Sequence, residues 1–260
     1  MEQVDVLAGF ERSSVTHDGR THDVYRAGSG PAVLVIHEIP GIHPGVVEFA
    51  RRLIDAGYTT YLPSLVGRPG GPHDSAAIRR SVLRVCVARE FTMLTDRTSR
   101  VVTWLRALAA QASAECGGSV GVVGMCFSGG FALATALEPA VAAAVLSQPA
   151  LPIGRCGRAA LGLDPDDRLR IAERARDGLC VLGLRFTGDK LSPPERFDTL
   201  SSMLGTAFEP IEINSSPGNP HGIAENAHSV LTVDLVDEPG HPTRDALDRV
   251  LVFLAERLKP

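Results

Sequence analysis

Several short segments of this sequence are apolar along almost their whole length. Four of them are PAVLVIH (31–37), SVGVVG (119–124), AVAAAVLS (140–147) and LCVLGLRF (179–186). Strands of this composition are buried on both faces, as in parallel sheets that are covered by helices. Segments of helical periodicity lie between them. The alternation predicts an α/β fold with a single doubly wound, mostly parallel sheet flanked by helices.

The remaining segments continue the same alternation. The turn signal Asp18-Gly19 predicts a short hairpin formed by residues 13–16 and 22–26. Further strands are predicted at 58–63 and 207–214, and helices at 45–56, at 75–112 with breaks, and at 129–138, 166–176, 194–204 and 243–258. The helix signals are periodic apolar residues that are closed by glycine or opened by Asp-Pro.

Length and charge restrict the class of protein. No repeat or low-complexity linker interrupts the chain, so we expect one domain over residues 1–260, with a hairpin segment at 1–30 and the core at 31–260. The net charge of −4 offers no basic surface for nucleic acid, which we do not expect as a partner. No apolar run approaches the roughly 20 residues of a membrane helix, so we expect no membrane association.

The five cysteines point to a reducing compartment. Their number is odd, their spacing is irregular and no C-x-x-C pair occurs. We therefore expect neither a disulfide framework nor a metal site, and we expect a cytoplasmic protein. The polar, acidic N-terminal residues do not have the pattern of a secretory signal.

One cysteine has an exceptional setting, in the segment GVVGMCFSGG (121–130). Cys126 directly follows a predicted strand and precedes a predicted helix, with the small residues Gly124 and Ser128 two positions to either side. A sharp strand–turn–helix of this kind raises a nucleophile above the sheet and tolerates only small neighbours. The helix N-terminus near Phe127 favours a thiolate and offers N–H groups to an oxyanion. We predict that Cys126 is a nucleophile.

The other four cysteines have no such frame, and we expect each to be a small buried hydrophobic residue. They are Cys86, Cys116, Cys156 and Cys180.

Doubly wound sheets bind their ligands beyond the carboxyl ends of the strands, so we expect a catalytic acid and a catalytic base there. Asp189 follows the strand at 179–186, although TGDK is also good turn chemistry. His221, His228 and His241 follow the last predicted strand. Nucleophile, acid and histidine in this order are typical of α/β-hydrolases.

These residues alone do not separate His221 from His228 as the base. His241 lies only two residues before Thr243, the predicted N-cap of the last helix, so we expect it to be structural. After the first apolar strand, His37 is expected to have no role. Glu38 is either a functional group or a solvated loop carboxylate.

Three stretches together resemble the dienelactone hydrolase family of α/β-hydrolases, from about residue 30 to the C-terminus. They are VLVIHEIPGI (33–42), GVVGMCFSGGFALA (121–134) and LRFTGDKLSPPERF (184–197). Ser128 stands where the family usually has glycine, and the long loop after the last strand departs from the family pattern. The resemblance implies hydrolysis of a small ester or lactone through an acyl-cysteine intermediate, with no metal or organic cofactor.

The resemblance also implies roles for individual residues. Cys126 would attack the carbonyl carbon, and Asp189 would hold the tautomer of the catalytic histidine. His228, in AHSVLT, is similar to the histidine of the family in its following residues and in its spacing to the last helix, whereas His221 remains an alternative. Glu38 would interact with the resting thiol and help to form the thiolate.

The implied oxyanion hole consists of the backbone N–H groups of Ile39 and Phe127. Family substrates often carry a carboxylate that arginines bind, and we single out Arg89 for this role. Other arginines in plausible cap or loop segments, such as Arg68 and Arg80, are expected to be solvated. The expected partner is a small ester or lactone, and the expected state is a monomer or small homo-oligomer. Alternative functions are a cysteine-dependent thioesterase or acyl transferase, or a non-catalytic binder of small molecules.

Overall fold

The computed structural model describes residues 5–87, 99–151 and 157–259. The strands are β1 Glu11–His17, β2 Arg20–Gly28, β3 Ala32–Ile36, β4 Thr59–Pro63, β5 Val120–Met125, β6 Val141–Ser147, β7 Cys180–Phe186 and β8 Phe208–Ile213. The helices are α1 Pro44–Asp55, α2 Ser75–Val87, α3 Arg100–Cys116, α4 Gly129–Thr135, α5 Pro165–Arg176, α6 Pro194–Leu204 and α7 Pro242–Leu258. Short 3₁₀ turns at Cys126–Ser128 and Gly205–Ala207 precede α4 and β8.

All of these strands form one sheet, in the order β1-β2-β4-β3-β5-β6-β7-β8. The hairpin β1–β2 is antiparallel and joins the sheet through an antiparallel pair between β2 and β4. From β4 to β8 every neighbouring pair is parallel. The predicted doubly wound, mostly parallel sheet flanked by helices is confirmed, and this is an α/β-hydrolase fold.

Side chains of the central strands are buried on both faces of the sheet. On one face they pack with Trp104 of α3 and Phe131 of α4. On the other face they pack with Phe49 of α1 and Phe253 of α7. Period-two alternation therefore sends successive apolar residues into two cores, which is why these strands have no polar face.

Several helix boundaries differ by one to four residues from the predictions, and two of the differences have a local cause. The helix predicted at 129–138 ends at Thr135, and Pro139 cannot continue it because proline has no N–H to donate to the carbonyl of Thr135. The last helix is capped by His241 and not by Thr243, so that prediction is wrong. Pro242 occupies the first helical position, where its fixed φ fits, and His241 Nδ1 accepts the N–H of Thr243 (3.3 Å).

Among the helices of the described residues, none combines the length and the apolar character that crossing a lipid bilayer requires.

Candidate active site

Cys126 begins the turn between β5 and α4 in a strained conformation. Its φ of 56° lies in the left-handed region, which is costly for residues other than glycine. The N–H of Ala150, just after β6, donates to the carbonyl of Cys126 (2.9 Å) and ties the turn to the neighbouring strand end. The predicted strand–turn–helix is therefore present, with Cys126 at its tip.

Ser128 fills the position at which the resembled family usually has glycine. The residue is fully buried, and its Oγ accepts the N–H of Met125 (2.8 Å). The hydroxyl hydrogen has two acceptors within reach, the carbonyls of Ile36 (2.8 Å) and Met125 (2.9 Å). This hydroxyl therefore connects the elbow to the end of β3.

Asp189 and His228 meet at the same edge of the sheet. Asp189 lies in the loop after β7, and His228 lies in the long loop between β8 and α7. His228 Nδ1 lies 2.7 Å from Asp189 Oδ2, and the other oxygen, Oδ1, accepts the N–H of Leu191 (2.9 Å). When Nδ1 donates its hydrogen to Asp189, Nε2 is the ring nitrogen that can accept a proton. Nε2 is buried and has no hydrogen-bond partner in the part of the chain that the structure describes.

The surroundings of His228 favour its protonated form. Burial lowers its pKa. The hydrogen bond to Asp189 and the proximity of Cys126 raise the pKa by more than burial lowers it, to about 11. The hydrogen bond to Asp189 is the largest of the influences that raise it. Asp189 and Cys126 thus both favour the protonated form of His228.

The other two histidines of this region lie elsewhere. His221 is exposed and packs its ring against that of His241, with centroids 5.3 Å apart. His241 caps α7. Of the alternatives left open by the residues alone, the structure thus places His228, and not His221, against Asp189.

The two expected oxyanion donors follow adjacent strands. In the parallel pair β3–β5, Ile36 is opposite Gly124. Ile39 and Phe127 each come three residues later, so both backbones pass the same edge of the sheet close to the elbow. Their N–H groups remain our prediction for the oxyanion hole.

Glu38 is almost completely buried, which excludes a solvated loop carboxylate. Its carboxylate accepts hydrogen bonds from His43 (3.0 Å), Gln148 (3.0 Å), Ser229 (2.7 Å) and Thr232. Within the described ranges, the thiol of Cys126 is not among its partners. These four donors were not identified from the sequence, and the position of Gln148 directly after β6 was the only available signal.

His37 is structural, as expected. Its Nδ1 donates to the carbonyl of Glu38 (2.8 Å), and its Nε2 accepts the N–H of Leu65 (3.1 Å). Burial lowers its pKa to about 4, so the ring is neutral. It fastens the end of β3 to the loop after β4.

A cavity of about 660 Å³ adjoins the Glu38 loop. Its lining includes Pro40, His43, Ser81 and two arginines, Arg68 and Arg80. Both arginines are exposed, as expected, but they also border this cavity. Arg89 lies outside the described residues.

The remaining described cysteines, Cys116 and Cys180, are free thiols that are partly buried against the two cores. The expected buried position is therefore met only in part by these two residues, which lie at the end of α3 and the start of β7. Cys156 lies outside the described ranges, as does the side chain of Cys86. In the described residues, no three His, Cys, Asp or Glu side chains are grouped so that they could hold a metal ion.

A strand-to-helix elbow, a carboxylate after β7 and a histidine after β8 on this sheet place the protein in the α/β-hydrolase class. Within that class, the model of the dienelactone hydrolase family matches residues 21–258. The chain belongs to this family.

Individual relatives support the same placement. A protein of Escherichia coli (strain K12) named "Putative carboxymethylenebutenolidase" is 35% identical over 79 residues, and the match covers 28% of this chain and 28% of that protein. The chain thus matches little more than a quarter of the length of this relative.

Two solved structures share the fold. A "Putative Dienelactone Hydrolase" from Klebsiella pneumoniae subsp. pneumoniae MGH 78578 has a TM-score of 0.63 and 21% identity, and the match covers 95% of this chain and 98% of that one. A dienelactone hydrolase-like promiscuous phosphotriesterase from metagenomic libraries has a TM-score of 0.62 and 17% identity, with 95% and 98% covered. At these identities the likeness concerns the fold alone.

The elbow predicts a cost for any side chain at position 124. A Cβ on Gly124 would lie 2.4 Å from the carbonyl oxygen of Ser128 and 2.7 Å from Ala132 Cβ. We expect Gly124→Ala to lower the free energy of unfolding by about 2 kcal/mol, measured by urea denaturation. Gly157→Ala is the matched control, since no atom of the described residues lies within 4 Å of a Cβ there. A change at Gly124 as small as at Gly157 would contradict this packing.

The Asp189–His228 contact predicts that loss of the Asp189 charge lowers both the pKa of His228 and the rate of turnover. Asp189→Asn removes the charge that holds the imidazole proton, so the pKa of His228 falls from about 11, as followed by NMR of its ring protons. We expect kcat to fall by about 10³- to 10⁴-fold because the tautomer is no longer fixed. His228→Asn should be similarly inactive, and His221→Asn should retain normal turnover. Loss of turnover in His221→Asn alone would move the base to that residue.

Proposed function

We propose that the chain hydrolyses a small carboxylic ester or lactone, with Cys126 as nucleophile, His228 as base and Asp189 as the residue that orients the base. The observation that carries this proposal is the 2.7 Å contact between His228 Nδ1 and Asp189 Oδ2, which leaves Nε2 unpaired near the elbow cysteine. Nucleophile, base and orienting acid in this relation are the arrangement of covalent acyl transfer.

The first half of the reaction forms an acyl-cysteine. At the start the shared proton is on His228, whose pKa is raised, so Cys126 attacks the carbonyl carbon as the thiolate. The N–H groups of Ile39 and Phe127 stabilise the oxyanion of the tetrahedral intermediate. When this intermediate collapses, the C–O bond to the alcohol breaks, and the leaving oxygen takes the proton from His228.

The second half releases the acid. His228 takes a proton from water, and the hydroxide oxygen attacks the thioester carbonyl. The C–S bond then breaks, Cys126 leaves as the thiolate, and its charge is balanced by the protonated imidazole. In a lactone both products stay in one molecule, as a hydroxy acid.

We infer a small, anionic substrate from the cavity beside the Glu38 loop, whose described lining does not include Cys126, Asp189 or His228. The 660 Å³ cavity beside the Glu38 loop has the size of small-molecule sites. Two of its lining residues are the cations Arg68 and Arg80. We propose that they attract a carboxylate on the substrate, a role that was assigned to Arg89 from the sequence.

We treat residues 1–260 as a single domain, with a hairpin segment at 1–30 and the catalytic core at 31–260. Free thiols at Cys116, Cys126 and Cys180 support a reducing compartment, and we propose the cytoplasm. The proposed partner is the small ester or lactone, and the proposed state is a monomer or a small homo-oligomer.

The test of the nucleophile uses p-nitrophenyl acetate and iodoacetamide. Stoichiometric iodoacetamide at neutral pH should label Cys126 ahead of the other cysteines and abolish turnover, and Cys126→Ala should be inactive. Cys180→Ala, a change of a partly buried thiol, should keep full activity. Activity in Cys126→Ala would overturn the mechanism. Release of only one equivalent of p-nitrophenol, without turnover, would favour an acyl transferase or a binder.

The arginine proposal predicts a difference between substrates. For an ester that carries a carboxylate, Arg80→Gln should raise KM by about tenfold, the equivalent of one charge-assisted hydrogen bond. For a neutral ester of equal size KM should not change. Arg79→Gln is the matched control, because Arg79 precedes it on α2 and is not among the cavity residues. Equal effects of Arg80→Gln on both esters would contradict a carboxylate contact.

A further inference from the structure

The carboxylate of Glu38 lies in a buried site built from four side chains. Oε1 accepts hydrogen bonds from His43 Nε2 (3.0 Å) and from the hydroxyl of Thr232. Oε2 accepts from the hydroxyl of Ser229 (2.7 Å) and from Gln148 Nε2 (3.0 Å). A carboxylate accepts about four hydrogen bonds in all. Its acceptor capacity is therefore filled by these partners.

The surrounding contacts fix the direction of two of these bonds. The N–H of Gly45 donates to His43 Nδ1 (3.2 Å), which leaves the ring hydrogen on Nε2, facing Glu38. The N–H of Val230 donates to Gln148 Oε1 (3.3 Å), which turns the amide hydrogens of Gln148 toward Glu38. Glu38 therefore accepts from both and has no free lone pair for the thiol proton of Cys126.

The acidity of Glu38 agrees with this arrangement. Burial alone raises its pKa, but the hydrogen bonds of its partners, with that from His43 foremost, hold the pKa below its ordinary value. A carboxylate with a lowered pKa is a weak proton acceptor.

The partners of Glu38 lie on the loop that carries His228. Ser229 directly follows His228, and Thr232 comes three residues after Ser229. Gln148 holds the backbone of the same loop at Val230. Three contacts thus fasten the segment next to the base to Glu38 and Gln148. Within the loop, Asp234 Oδ2 also accepts the N–H groups of His228 (2.9 Å) and Ser229 (2.8 Å).

We propose that Glu38 is a positioning residue that sets the place of His228 through Ser229 and Thr232, and that it is not a base for the thiol of Cys126. Gln148 is the second positioning residue of this group. The backbone continues from Glu38 into Ile39, so the same anchor relates the base to the proposed oxyanion donor. The inference rests on the proposed function, since it needs Cys126 and His228 as the reacting pair.

The decisive variant is the double change Ser229→Ala/Thr232→Val, which keeps Glu38 and removes two of its donors. If Glu38 acts through the loop, kcat for p-nitrophenyl acetate should fall by about 10- to 100-fold with KM unchanged, as expected for displacement of a catalytic group. Alkylation of Cys126 by iodoacetamide at neutral pH should become slower, because a displaced His228 no longer stabilises the thiolate. A direct base role predicts the opposite sign, since freed lone pairs and a raised pKa would make Glu38 the stronger base and speed alkylation.

A second measurement uses Glu38→Gln, which keeps the shape of the side chain but turns two hydrogens toward its donors. Its effect on kcat should not add to that of Ser229→Ala/Thr232→Val, because both changes release the same loop. Glu115→Gln is the matched control, since Glu115 also pairs with several partners, Tyr61 among them, but lies near the end of α3. It should change neither kcat nor the alkylation profile.

The outcomes separate this inference from the proposed function. Normal or faster alkylation in Ser229→Ala/Thr232→Val, or additive losses with Glu38→Gln, would overturn the positioning role and leave the hydrolase mechanism intact. Activity in Cys126→Ala would overturn the mechanism itself. If Glu38→Gln fails to fold, as seen by its melting temperature, the alkylation rate of the double variant alone decides.

Discussion

The parallel pairing of β3 with β5 is the constraint on which the site depends. Its register sets Ile36 opposite Gly124, so the backbones that follow these strands run side by side at one edge of the sheet. The buried hydroxyl of Ser128 then bridges the elbow to the carbonyl of Ile36 (2.8 Å). A slip of one residue would reverse the faces of β5 and separate Cys126 from the Glu38 loop.

The sequence predicted those features that are local or periodic. Continuous apolar runs specify a sheet that is buried on both faces, and the small residues around Cys126 specify the elbow, because both depend on neighbours in the chain. Asp189 could be found by its place after β7. His228 could be selected over His221 only through the family resemblance, since both histidines lie in the same loop and spacing alone does not show which one turns inward.

The features that sequence reasoning missed depend on contacts between distant segments. Gln148, Ser229 and Thr232 are 110, 191 and 194 residues from Glu38 along the chain. Serine, threonine and glutamine are ordinary loop residues, and nothing in their local sequence marks them as donors to one carboxylate. The cap of α7 was missed for a different reason. Threonine is the commoner N-cap residue. Pro242 occupies the first helical position, so the helix begins one residue before Thr243 and His241 becomes its N-cap.

His37 and Glu38 are neighbouring buried groups, but only Glu38 carries a charge. The His37 ring accepts two backbone N–H groups at Nε2, those of Leu65 and Val66, and stays neutral because burial lowers its pKa to about 4. Glu38 keeps its charge because its hydrogen-bond donors more than offset the burial.

Both native pKa values lie below those of the unfolded chain, so the unfolded state binds more protons as the pH falls. The stability that these groups contribute is present above their unfolded pKa values and is lost on acidification, for His37 between its unfolded value of about 6.5 and its folded value of about 4. A buried, paired carboxylate is weak support for stability as such, because an apolar replacement is often no worse. The position of Glu38 after β3, hydrogen-bonded to the loop of His228, is better explained by the need to hold the base in place.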